Sequence, residues 1–171
     1  MRVGILTISD RAARGEYEDR SGPLLRKLIE DQGWDVIRFD VVSDDQVEIE
    51  EHLRRWADSG DVDLILTAGG TGFSPRDRAP EATLAVIDRL APGLVEAMRA
   101  ASLKVTPHAM LSRAAAGIRG KTLIVNLPGS PRAVEENLTI ILPALPHGVD
   151  LLKDRPSAEG GHAIHQPPNE D

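Results

Sequence analysis

The sequence predicts an α/β protein, a three-layer sandwich with a mainly parallel sheet and helices on both faces. Three observations carry that expectation. Short apolar runs such as Leu64-Ile65-Leu66 and Leu123-Ile124-Val125 lack the alternation of a half-exposed strand, which suits strands covered on both sides. Amphipathic stretches with helical spacing lie between them. Strand and helix signals alternate along the chain without an internal repeat, the order that builds parallel sheets.

The first strand is Val3 to Ile8, which ends at Ser9-Asp10 before the charged segment Arg11 to Arg20. Loops at the carboxyl ends of such strands form the ligand crevice, so Ser9 and Asp10 are either site residues or turn formers. Ser21-Gly22-Pro23 marks a helix start, Leu24, Leu25, Leu28 and Ile29 its apolar face, and Gly33 its stop. Trp34 to Val42 reads as the second strand. Ser43-Asp44-Asp45-Gln46 has the Ser-x-x-Gln pattern of a capping box, ahead of a helix with Ile49, Leu53, Trp56 and Ala57 on its buried stripe. Asp44 therefore either complements that helix dipole or projects into the crevice, and spacing does not choose between them.

After Leu64 to Leu66 comes a glycine-bearing turn, then a helix from Ala79 whose stripe includes Leu84, Val86, Ile87 and Leu90. Pro92-Gly93 interrupts it, and a second short helix carries Leu94, Met98 and Ala101. Met110 to Gly117 is ambiguous: its alanines favour helix, whereas Gly117-Ile118-Arg119-Gly120 signals a hairpin. Lys121 to Leu127 is a strand, followed by the tight turn Asn126 to Pro131. Ser130 suits an N-cap and Pro131 the first position of a helix with Val134, Leu138 and Ile141 inward. Pro143 to Leu152 adds a last helical piece. One domain over residues 1–153 and a poorly ordered tail over 154–171 are the expected organisation.

Composition narrows the function. The chain has 171 residues, enough for a core on both faces of a sheet. Aromatic residues are 3%, which leaves few stacking platforms for single-stranded nucleic acid. The formal net charge of −7 opposes nonspecific binding to DNA or anionic lipid. There is no cysteine, so disulfides, thiolate catalysis and Cys-based zinc sites are excluded. The five histidines have no metal-ligand spacing. With no signal-peptide pattern after Met1 and no apolar run near ~20 residues, the expectation is a cytoplasmic protein that binds neither nucleic acid nor membrane.

The chemistry is concentrated at Thr67-Ala-Gly-Gly-Thr-Gly-Phe-Ser-Pro-Arg-Asp77. Gly69, Gly70 and Gly72 allow sharp turns with uncovered N–H groups, Thr71 adds a hydroxyl and Arg76 a positive charge, a set suited to an anion. A plain turn between strand and helix has the same glycines, and the loop is neither a Walker A nor a G-x-G-x-x-G sequence. Asp77 repels a phosphate unless a cation lies between them. With Asp44 it could hold Mg²⁺, which needs only one or two protein carboxylates.

This loop, with Ala79-Pro-Glu-Ala-Thr83 after it, resembles the signature of the molybdopterin adenylyltransferase family, which includes the amino-terminal domain of gephyrin. The similarity runs through Gly4-Ile-Leu-Thr-Ile-Ser-Asp10, Pro92-Gly-Leu94, Ser102-Leu-Lys-Val-Thr-Pro107, Leu111-Ser-Arg113 and Asn126-Leu-Pro-Gly-Ser-Pro131, roughly residues 3 to 152. It implies a homotrimer that adenylylates molybdopterin with Mg-ATP, releases pyrophosphate and has the molybdenum-inserting enzyme as a partner. Asp44 and Asp77 match the two essential aspartates, as tentative Mg²⁺ ligands. Gly69, Gly70, Thr71, Gly72, Asn126, Pro128 and Gly129 are implied on the phosphate and nucleotide side, and Ser9, Asp10, Ser102 and Ser130 on the substrate side. Arg78 departs from an aliphatic residue in some relatives. A noncatalytic, molybdopterin-binding structural or regulatory homologue is the alternative, and retention of both aspartates favours the enzyme.

Overall fold

Alternate side chains of the central strands face opposite ways, and both sets are apolar. The computed structural model describes residues 1–155. Strands β1 (Arg2–Ile8), β2 (Asp35–Val42), β3 (Leu64–Ala68), β4 (Arg89–Leu90), β5 (Ala116–Arg119) and β6 (Thr122–Leu127) form one sheet in the order β2-β1-β3-β6-β5-β4. The first four in that order are parallel, and β5 and β4 continue as an antiparallel edge.

Val3, Ile5, Leu64, Leu66, Leu123 and Val125 point to one face. There they meet α2 (Ser21–Glu30), α5 (Pro92–Leu103), α6 (Pro131–Ile141) and α7 (Leu145–Leu152). Leu6, Ile8, Ile65 and Ile124 point to the other, against α3 (Gln46–Asp58) and α4 (Ala79–Val86). A short α1 (Asp10–Ala13) follows β1 directly. The three-layer sandwich expected from the sequence is the observed one. Ile5, Leu66 and Ile124 are fully buried, each contributing about 1.5–3 kcal/mol relative to exposure.

Three local expectations change. The helix expected to reach Leu90 stops at Val86, because Ile87 turns extended and lies against the bare backbone of Gly117. Asp88 N–H then donates to Ile118 O at 2.7 Å and Ala91 N–H to Ala116 O at 2.9 Å, so pairing with β5 replaces the last helical turn. Leu84 and Leu90, expected on the inner stripe, are 51% and 63% exposed. The ambiguous Met110 to Gly117 segment resolves into a 3₁₀ turn, Pro107–Leu111, and the start of β5, joined to β6 by a hairpin at Gly120.

The third change concerns the cap of α3. Asp45, not Ser43, is the N-cap: its carboxylate accepts from Val47 N–H at 3.0 Å and Glu48 N–H at 3.1 Å. Ser43 is instead engaged by Glu48, whose carboxylate accepts both its N–H and its hydroxyl. A carboxylate makes the stronger cap because it carries charge to the helix N-terminus.

An ion cluster lies at the amino-terminal ends of β1 and β3. Asp63, 2% exposed, accepts from Arg2 N–H at 2.8 Å, from the Arg2 guanidinium at 2.9 Å and from the Lys153 ammonium. Arg155 still folds back to donate to Asp150 at 2.8 Å, and the expected tail from 156 onward lies outside the described residues. Burial pushes the Asp63 carboxyl up, but Lys153 and Arg2 outweigh it and hold the pKa at about 2. Its unfolded value is ~3.9, so the charged carboxylate stabilises the fold above that pH and the contribution is lost as pH falls through the folded value. The difference is worth about 2 kcal/mol. Asp63→Asn is expected to lower the melting temperature near neutral pH and to flatten its fall between about pH 4 and pH 2. Thermal unfolding across that range checks it, and an acid limb as steep as the wild type's would count against Asp63.

Candidate active site

β1 has β2 on one side and β3 on the other, and the connections after β1 and β3 lead to helices on opposite faces of the sheet, α2 and α4. The crevice outside the carboxyl ends of the strands at such a reversal is where open α/β sheets bind ligands. Four segments meet there: Ser9-Asp10 after β1, Ser43 to Asp45 after β2, Gly69 to Arg78 after β3, and Pro128 to Ser130 after β6.

The glycine loop is held by close approach. Gly69 has φ +108°, and a Cβ there would lie 2.3 Å from the Ile8 carbonyl oxygen, so only glycine lets β3 leave across the end of β1. Its N–H donates to Leu127 O at 3.2 Å and is already engaged. The N–H groups of Gly70, Thr71 and Gly72 have no protein acceptor among the described residues and remain open to an anion. At Gly72 a Cβ would stand 2.9 Å from Asp77 Oδ2. That oxygen accepts from Ser74 N–H at 3.0 Å, and Asp77 N–H returns a bond to Ser74 O at 2.9 Å, which fixes the turn carrying the aspartate.

Asp44 is released from capping because Asp45 does that work. Its N–H donates to Asp10 Oδ1 at 3.0 Å, while its Oδ2 accepts from Asp10 N–H at 2.8 Å. Arg76 forks onto both oxygens of Asp10, at 2.9 Å each. These bonds, the Arg76 fork first, hold the Asp10 carboxyl below its ordinary range. Burial pushes Asp44 up, the Asp10 N–H opposes this, and the charges of Asp10 and Asp77 push it further up.

Asp44 Oδ1 and Asp77 Oδ1 accept no hydrogen bond among the described residues, and both side chains line the same cleft. Two acceptor-only carboxylates that repel each other fit a small divalent cation. No group of three or more metal-type side chains exists among the described residues, so such an ion would complete its shell with water or phosphate oxygens.

That cleft is polar, about 410 Å³, within the usual range of ligand sites. Ser9, Asp44, Gly69, Gly70, Asp77, Gly129 and Ser130 line it, together with Arg11 stacked on Tyr17. A second cleft of about 270 Å³ is mostly apolar and is lined by Thr71, Gly72, Met98, Ser102, Pro128 and Asn137. The glycine loop and the Pro128-Gly129 turn form the ridge between them, where a Gly129 Cβ would come within 3.3 Å of Gly69 Cα.

Not every candidate residue faces a cleft. Asn126 is 0% exposed: its carbonyl accepts from Ala115 N–H at 3.1 Å, and its amide donates to Thr67 and Thr83 hydroxyls at 3.0 and 2.8 Å. It braces the loop from behind. Asp10 braces Asp44 and Arg76. Ser9 and Ser130 also cap α1 and α6, accepting from Ala12 and Ala133 N–H.

Sequence reasoning passed over Asp19, whose carboxylate accepts from the Thr7 hydroxyl and from the N–H groups of Ser21 and Gly22. An aspartate two places before Ser-Gly-Pro is a cap signal that could have found it. Ser21 in turn donates to Gly129 O at 2.6 Å and ties α2 to the ridge. Arg113, bound to Thr71 O, Gly72 O and Asp77 O, stands in the Leu111-Ser-Arg113 stretch of the family resemblance but carried no expected role.

A family model described as "Probable molybdopterin binding domain" matches residues 4–147. The molybdopterin adenylyltransferase of Helicobacter pylori strain J99 is 43% identical over 154 residues, which is 89% of this chain and 88% of that protein. Gephyrin of Dictyostelium discoideum is 43% identical over 91% of this chain but only 23% of its own length. Among solved structures, the molybdopterin biosynthesis enzyme MoaB of Thermus thermophilus aligns with a TM-score of 0.85 at 49% identity, over 91% of this chain and 98% of that one. Fold, loop and relatives agree, and the chain belongs to the molybdopterin adenylyltransferase family.

Proposed function

We propose that this chain adenylylates molybdopterin, using Mg-ATP and releasing pyrophosphate. The observation that carries the proposal is the ridge of unengaged N–H groups between two clefts, with two unsatisfied carboxylate oxygens at its side. The polar cleft, with Asp44, Asp77 and Arg11, suits a nucleotide triphosphate. The apolar cleft with Ser102 and Asn137 suits a flat heterocycle with a few polar edges, such as a pterin.

A phosphate oxygen of the pterin would attack the α-phosphorus of ATP, forming a new P–O bond while the bond from the α-phosphorus to the bridging oxygen breaks. The leaving electrons go to pyrophosphate. No covalent bond to the protein is needed, so the chain's task is alignment and charge control. Asp44 and Asp77 would hold Mg²⁺, which supplies neutralisation of the triphosphate. Gly70, Thr71 and Gly72 would donate N–H groups to phosphate oxygens as negative charge develops. Pro128 and Gly129 close the ridge so that attack crosses it in one direction. A homotrimer, cytoplasmic location and delivery of product to the molybdenum-inserting enzyme are parts of the same proposal.

Incubating the protein with molybdopterin, ATP and Mg²⁺ should give adenylated pterin and pyrophosphate. Pterin binding without either product would favour the noncatalytic alternative. Asp77→Asn is expected to lower turnover by about 10²–10³ with a native melting temperature. A folded variant that turns over normally would remove Asp77 from the chemistry.

Asp44→Asn and Asp45→Asn separate metal binding from capping. Asp44→Asn should cost a similar factor in rate yet keep or raise the melting temperature, since it removes a half-buried charge next to Asp10 and Asp77. Asp45→Asn should keep the rate and lose about 0.3–1 kcal/mol of stability, because asparagine caps well but carries no charge to the dipole. Single-turnover rates beside thermal melts check both, and a normal rate for Asp44→Asn would leave that residue a brace for Asp10.

A further inference from the structure

Arg113 lies between the 3₁₀ turn and β5, far in sequence from the glycine loop, yet it grips both ends of that loop. Its backbone N–H donates to Thr71 O at 2.9 Å, its Nε to Gly72 O at 2.7 Å and its Nη2 to Asp77 O at 2.6 Å. Nη1 pairs with the Glu81 carboxylate at the start of α4. The other Glu81 oxygen, Oε2, is buried without a partner, so this ion pair is the main compensation for placing that carboxylate there.

Every bond from Arg113 to the loop ends on a backbone carbonyl. It therefore fixes the path of the chain and not any one side chain. Gly72 O and Asp77 O bracket the turn that aims Asp77, and one planar fork holds both. A lysine has the charge but not the fork, and cannot span two carbonyls and a carboxylate together.

We infer that Arg113, buttressed by Glu81, is a positioning residue that sets the direction of the Asp77 carboxylate for the nucleotide-bound cation. The inference rests on the reading of Asp77 as a ligand of that cation. It adds a residue that touches neither substrate, and its effect is confined to the metal-dependent part of nucleotide binding.

Calorimetric titration of ATP over a series of Mg²⁺ concentrations, without pterin, tests it in the wild type, Arg113→Lys, Glu81→Gln and Asp77→Asn. The wild type is expected to bind ATP more tightly as Mg²⁺ rises. Arg113→Lys should lose about 10–100-fold of that gain while its affinity for metal-free ATP stays near that of the wild type. Glu81→Gln keeps the guanidinium but removes its buttress, and should lose a smaller part of the gain; it serves the test if Arg113→Lys does not fold. Combining Arg113→Lys with Asp77→Asn should add little to Asp77→Asn alone, as expected for residues acting through one contact.

A full Mg²⁺ gain in both Arg113→Lys and Glu81→Gln, whatever their melting temperatures, would overturn the inference and leave Arg113 a purely structural clamp. Equal losses with and without Mg²⁺ would overturn it in the same way. A wild type whose ATP affinity ignores Mg²⁺ would instead sink the metal reading itself, and the inference with it.

Discussion

No side chain fits between the exit of β3 and the Ile8 carbonyl, and the geometry of the site follows from that constraint. Because Gly69 crosses so close to β1, the loop after β3 is pressed onto the loops after β1 and β2. Asp77 and Asp44, from different strands, then share one cleft. Gly129 approaches Gly69 from the other side, so the ridge is two strand exits in backbone contact. A methyl group at position 69 would have to displace a sheet carbonyl, and the clefts would separate.

Charge is arranged around that ridge in an unusual way for a site proposed to take anionic substrates. The chain is acidic overall, the polar cleft is lined by Asp19, Asp44 and Asp77 beside Arg11 and Arg20, and Arg76 is tied up by Asp10. Under the proposed function, attraction for phosphate would come from loop N–H groups, a bound cation and the two arginines of the cleft, and not from a broad basic surface. Long-range steering at low salt contributes little here, which separates this site from clefts that recruit anions by a positive field.

Much of this was legible in the sequence because the signals are local. Unalternating apolar runs identify strands covered on both faces, and the glycines after Ala68 identify a loop that turns tightly. Asp77 was readable as the anomaly beside an anion cradle. The parts that were not readable depend on what lies across space. Ser43 has the pattern of a cap, but Glu48 engages it and Asp45 takes the role. The stripe through Leu90 is helical in spacing, yet the edge of β5 offers hydrogen bonds that a last helical turn cannot match. Asn126 sits in a turn motif and turns inward as a brace. Arg113 acts on backbone carbonyls far away along the chain, partners that its own sequence neighbourhood does not specify.

The strand order has a consequence for how the chain comes into being. β6 lies between β3 and β5, although it is the last strand to be synthesised. While the residues between β3 and β6 emerge from a ribosome, the apolar edge of β3 has no permanent neighbour. Lys153, the partner of buried Asp63, arrives 90 residues after it. A nascent chain thus carries an open sheet edge, and a buried carboxylate with Arg2 as its cation, until β6 and Lys153 are made. Such an intermediate is exposed to edge-to-edge association with another copy, and completion of the fold is a late event tied to the carboxyl-terminal third.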